Sequence, residues 1–98
     1  MTQRASQDLQ YWSSSDNMKK IERINALIES CLLNPVSGIG IPEQLRFKDE
    51  EIYSRRIDKT HRLVYKVQAD TLIIISARFH YEKWLFQISQ TGFDERLN

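Results

Sequence analysis

The hydrophobic period of this chain changes once, and that change limits what it can fold into. Up to Leu32 apolar residues recur at spacings of three and four; beyond Pro42 they alternate. Met18, Ile21, Ile24, Leu27, Ile28, Cys31 and Leu32 form one stripe, with Lys19, Lys20, Glu22, Arg23 and Glu29 between them. That spacing predicts an amphipathic helix. It should stop at Asn34-Pro35, because a residue before proline avoids helical angles. Ser15 or Asp16 is placed to cap its start by accepting from free backbone N–H groups. A shorter helix is expected over residues 5–13, with Leu9 and Trp12 on one face. Residues 35–42 hold both prolines and two of the three glycines, and read as a loop.

After the loop the period is two, as in half-buried strands. Residues 43–47 form a short strand and 48–51 a polar connection. Residues 52–57 alternate, with Tyr53, Arg55 and Ile57 on one face and Ser54 and Arg56 on the other. Residues 58–61 turn the chain. Residues 62–67 alternate again, with Leu63, Tyr65 and Val67 opposing Arg62, Val64 and Lys66. Residues 68–70 form another turn, and 71–81 read as one long strand. The expected fold is α+β: two N-terminal helices packed on one face of an antiparallel meander. With 98 residues, the chain is expected to be a single domain.

Composition narrows the chemistry. A single cysteine, Cys31, excludes an internal disulfide framework and a multi-cysteine zinc site. Two histidines, His61 and His80, argue against a His-rich metal centre. No apolar run approaches the ~20 residues of a membrane span. The first residues lack a secretory pattern, so the expected compartment is the cytoplasm. The formal net charge is +1, so an anion site must come from local clustering.

Such a cluster exists. Seven basic residues, Arg46, Lys48, Arg55, Arg56, Lys59, Arg62 and Lys66, lie between positions 46 and 66. Arg56 and Arg62 fall on neighbouring strands, and Arg78 and His80 share a face of the last one by alternation. A sheet face carrying Arg56, Arg62 and His80 suits a phosphate, because guanidinium forks onto two phosphate oxygens. The competing reading is a set of solvated arginines on an open sheet face. Near neutral pH an imidazole can protonate a leaving alkoxide, and Glu43 can serve as a base. His61, in a turn, reads as structural, and Cys31, on the apolar helix face, as buried.

Taken in order, the runs YWSSSDNMKKIERINALIESCLLNPVSGIGIPE, IPEQLRF, IYSRRIDKTHRLVYKV and IISARFHY resemble the YoeB/Txe family of the RelE/ParE superfamily. The resemblance covers about residues 8–81. It implies a RelE-like small sandwich and the toxin component of a type II toxin–antitoxin module. Its implied activity is metal-independent, cofactor-free cleavage of mRNA on the ribosome. On that resemblance Glu43 is the general base, His80 the general acid, and Arg56 and Arg62 hold the scissile phosphate. Tyr81 follows the histidine as in the family. Arg46, Arg55 and Arg78 are further RNA- or phosphate-binding candidates. The implied partners are a cognate YefM/Axe-like antitoxin, the ribosome and mRNA, with a homodimer as a further expectation and no membrane. The family's short opening strand is expected to be missing, and residues 82–98 extend past the usual family end. An alternative reading is a catalytically impaired RelE-like domain that binds an antitoxin or the ribosome.

Overall fold

The computed structural model describes residues 1–47 and 50–79, with side chains except at Arg46, Phe47 and Glu50. Two helices, α1 (Gln3–Ser14) and α2 (Met18–Leu33), precede four strands: β1 (Glu43–Phe47), β2 (Glu50–Arg56), β3 (Arg62–Gln68) and β4 (Thr71–Ser76). The strands pair antiparallel in the order β1-β2-β3-β4. This is the expected α+β meander under two helices.

The helices cover the face that the alternation marks as apolar. Trp12 of α1 and Ile24, Leu27 and Cys31 of α2 pack with Ile57, Leu63, Tyr65 and Ile74 in one buried cluster, which Leu9, Ile21 and Ile28 join. Met18 and Leu32, expected on the same stripe, are exposed. The opposite face is not the polar surface that its arginines suggested: Leu45, Ile52, Ser54 and Val64 there are buried too.

Caps decide where the helices begin. Thr2 caps α1, its hydroxyl accepting from Ala5 N–H. The same residue docks on β4: its N–H donates to Ile74 O at 3.0 Å and its hydroxyl to Ile75 O at 2.7 Å. Thr2 therefore covers part of the β4 edge, where the family's first strand was expected to be absent. Asn17, rather than Ser15 or Asp16, caps α2 and accepts from Lys20 N–H. Asp16 instead takes a positive φ of 55° and reverses the chain.

The last strand is shorter than expected. β4 ends at Ser76, and Ala77–Phe79 form a bend. Trp12 Nε1 donates to Ala77 O at 2.9 Å, and the Asp8 carboxylate accepts from Ala77 N–H at 2.9 Å. Once α1 holds these groups, β3 does not pair with them. His80, Tyr81 and the extension 82–98 lie outside the described residues.

Candidate active site

Arg55 organises the route to the site. It is fully buried, and each of its N–H groups finds an acceptor. Nε donates to Tyr65 OH at 3.0 Å. Nη1 donates to Ser30 Oγ at 2.6 Å and Ile39 O at 3.0 Å. Nη2 donates to Asn34 O at 2.7 Å and Ser37 O at 2.9 Å. An arginine has five N–H donors, so none remains for a phosphate. The expectation that Arg55 binds RNA is corrected: it is a clamp on the 34–39 loop. Tyr65 extends the clamp, donating to Pro35 O at 2.6 Å. Burial pushes the Tyr65 hydroxyl up to about 12, against the lowering effect of Arg55, so it stays a donor. Burial likewise raises the Cys31 thiol, which fits the structural role expected of it.

The clamped loop delivers Glu43. Arg56 N–H donates to Gly40 O at 2.8 Å, which ties the loop end to β2 just before β1 begins. Glu43 then stands opposite Ser54 across the β1–β2 ladder. Arg62, at the start of β3, reaches both: Nη1 lies 3.2 Å from Glu43 Oε2 and 3.0 Å from Ser54 Oγ. The two sides of the ion pair differ in exposure. The Arg62 side chain is 10% exposed and that of Glu43 45%. The arginine is held in place while the carboxylate meets solvent.

Arg56 is the direct cross-strand partner of Arg62. Like charges opposite one another destabilise a ladder, so this placement calls for an anion. Glu43 supplies one to Arg62. Arg56 is exposed, and its neighbour Arg23 bonds its carbonyl oxygen rather than its guanidinium. The sequence-derived trio Glu43, Arg56 and Arg62 is thus brought together at one end of the sheet. Arg46 sits on β1, opposite Glu51 in register. Arg78 goes elsewhere: its guanidinium carbon lies 3.4 Å from the Tyr11 ring centroid, against α1.

Two residues that sequence reasoning did not single out for the site support it. Ser54 fixes the Arg62 head. Asp8, buried on α1, takes Arg4 and Ala77 N–H; its i,i+4 spacing from Arg4 was the available signal. His61 has the structural role expected of it. Its Nδ1 accepts from Phe79 N–H at 2.8 Å, its ring meets Trp12 edge-on, and Arg62 N–H donates to Phe79 O. Among the described residues no three His, Cys, Asp or Glu side chains gather as metal ligands, and no helix is long and apolar enough to cross a membrane.

The class is a two-layer α+β domain, two helices on a four-strand antiparallel meander, with a carboxylate and two arginines at one end of the sheet. The chain belongs to the YoeB family of toxins of bacterial type II toxin–antitoxin systems, whose profile matches residues 1–81. Toxin YoeB of Streptomyces coelicolor is 47% identical over 75 residues, 76% of this chain and 88% of that protein. Toxin YoeB of Escherichia coli K12 is 40% identical over 74 residues, 76% of this chain and 87% of that protein. Among solved structures, the YoeB/ParE toxin from Agrobacterium tumefaciens superposes with a TM-score of 0.75 at 35% identity, covering 82% of this chain and 94% of that one. The toxin in the YoeB–YefM complex from Staphylococcus aureus gives 0.72 at 38% identity, covering 82% and 92%. A YoeB dimer from the same organism gives 0.73 at 37%, with the same coverage.

Proposed function

We propose that this toxin is a metal-independent endoribonuclease that cuts mRNA on the ribosome, in the cytoplasm, by attack of the RNA's own 2′-OH. The observation that carries the reading is the Arg62–Glu43 contact beside Arg56. An incoming phosphodiester competes with Glu43 for the Arg62 guanidinium. As the phosphate takes that position, the freed carboxylate becomes a base for the 2′-OH proton. O2′ then attacks phosphorus. Arg56 and Arg62 stabilise the charge of the pentavalent intermediate, since guanidinium is always cationic and forks onto two oxygens. His80 protonates the departing 5′ oxygen, with Tyr81 beside it in sequence and Arg46 contributing positive charge. The products are a 2′,3′-cyclic phosphate and a 5′-hydroxyl.

The partners follow from the relatives. A YefM-like antitoxin neutralises this chain by bringing acidic groups to the exposed arginines, and the free toxin forms a homodimer like the Staphylococcus aureus relative. The test is translation-dependent cleavage of an mRNA in a cell-free reaction, with end-group analysis of the products. Glu43→Gln and His80→Ala should each lower cleavage about 10²–10⁴-fold while the circular dichroism spectrum and antitoxin binding are retained. Full cleavage by both variants removes the assigned roles. A folded, antitoxin-binding wild type that cuts nothing is a binding protein instead.

A further inference from the structure

The bend that ends β4 builds a second cationic position that the mechanism does not use. Ala77 is held by Trp12 and Asp8 of α1, and Phe79 by His61 and the backbone of Arg62. Arg78, between these anchors, carries its guanidinium close to two rings. Its guanidinium carbon is 3.4 Å from the Tyr11 centroid and 4.5 Å from that of Phe79. Its Nε is buried with no hydrogen-bond partner. The nearby carboxylates are engaged elsewhere: Asp8 with Arg4 and Ala77 N–H, Asp58 with Lys20. A half-buried cation set against two rings, with no ion pair among the described residues, gains from an anion at the part of its edge that still meets solvent. Tyr11, 42% exposed, offers ring surface beside that edge.

We infer that Tyr11, Arg78 and Phe79 form an anion subsite for a phosphate of single-stranded RNA flanking the one that is cut. The inference rests on the nuclease reading for the identity of the ligand. Continuity favours RNA: the Arg62 N–H to Phe79 O bond, 3.1 Å long, joins the bend to the strand that carries the candidate phosphate clamp. A planar guanidinium next to an exposed aromatic ring also matches a nucleotide, which carries both a phosphate and a stackable base.

The test measures binding apart from cleavage. The probe is a short 2′-O-methyl RNA, which lacks the nucleophile and so cannot be cut, titrated by fluorescence anisotropy at several salt concentrations. Arg78→Gln should weaken binding about 5–10-fold and reduce the slope of log K against log salt by about 0.7, the value for one phosphate contact on a single strand. Arg78→Lys keeps the charge but loses the stacked plane; it should fall between wild type and Arg78→Gln, and it serves as the readout should the glutamine variant fail to fold. Folded variants with wild-type affinity and slope overturn the inference. So does a loss of affinity for the acidic antitoxin with RNA binding unchanged, which would make the subsite a protein contact. If wild type never cleaves mRNA but Arg78→Gln flattens the slope, the nuclease reading fails and the subsite stands. If wild type cleaves and Arg78→Gln binds normally, the subsite alone fails.

Discussion

An arginine buried without a carboxylate is tolerable only when its donors are all satisfied, because a charge in a poorly polarisable interior otherwise carries a large desolvation penalty. Arg55 meets that condition with three loop carbonyls, a serine and a tyrosine. Its role is to position Glu43 through the loop. Arg55→Met would leave the carbonyls of Asn34, Ser37 and Ile39 without that partner. These carbonyls are part-buried in an exposed loop, so each one left without its partner costs nearer the low end of about 1–3 kcal/mol; the expected loss is about 3 kcal/mol and a fall in Tm on the order of 15 °C. A thermal melt checks it, and a drop under a few degrees would mean that the loop does not depend on the clamp. Alternation put Arg55 on the same face as Tyr53 and Ile57 in the sequence, and that was right. What alternation does not carry is which long cation meets a loop nearly twenty residues earlier. Arg55 therefore read as one more cation for RNA, while Glu43, Arg56 and Arg62 were legible through strand order and family motif.

The elements hold their positions through the connections between them. The 34–42 loop crosses the end of α2 so closely that Gly40, at φ 85°, has no room for a side chain: an added Cβ would stand 2.6 Å from Leu27 Cδ2 and 3.1 Å from Arg55 Cβ. Leu27 is fully buried, so it yields poorly. Gly40→Ala combines a left-handed backbone with this clash and should destabilise the fold by about 2–3 kcal/mol, seen as a lower urea midpoint. Wild-type stability in that variant would show that the loop relaxes freely. It should also lower activity, because Gly40 O holds Arg56 N–H beside the site. The sequence marked this loop by its prolines and glycines, and the helix before it and β1 after it were legible for the same reason. The end of β4 was not. Arg78 and His80 continue the alternation, but tertiary groups of α1, Trp12 and Asp8, capture Ala77 and stop the strand. Phe79 at φ 71° is a conformation that no propensity favours for an aromatic residue.

At the scale of the whole molecule, the helix layer and the end of the sheet meet at His61. It touches Trp12 of α1, receives Phe79 N–H from the bend, and its own N–H donates to Asp58 Oδ1 at 2.7 Å. Nδ1 must stay unprotonated to accept from Phe79. Burial lowers the His61 pKa, and Arg78 and Lys20 add to the lowering, outweighing Asp58 and Asp8. The unfolded chain, with histidine near 6.5, therefore binds a proton before the folded one does. Stability rises with pH wherever the unfolded state holds more protons. The fold should thus be at full strength above about pH 6.5 and weaken as pH falls from there towards the lower folded value. Asp58 acts in a separate window. Burial raises its pKa, but hydrogen bonds from Lys20 and from the His61 and Thr60 N–H groups outweigh that and hold it below 3.8, so its stabilisation is lost only in stronger acid. Urea midpoints from pH 8 to 5 should decline for wild type below about pH 6.5. In His61→Gln, whose amide oxygen can still accept from Phe79 but cannot titrate, that decline should flatten from a lower starting midpoint. An equal decline in both proteins would place the acid-sensitive group elsewhere and detach this junction from the pH response.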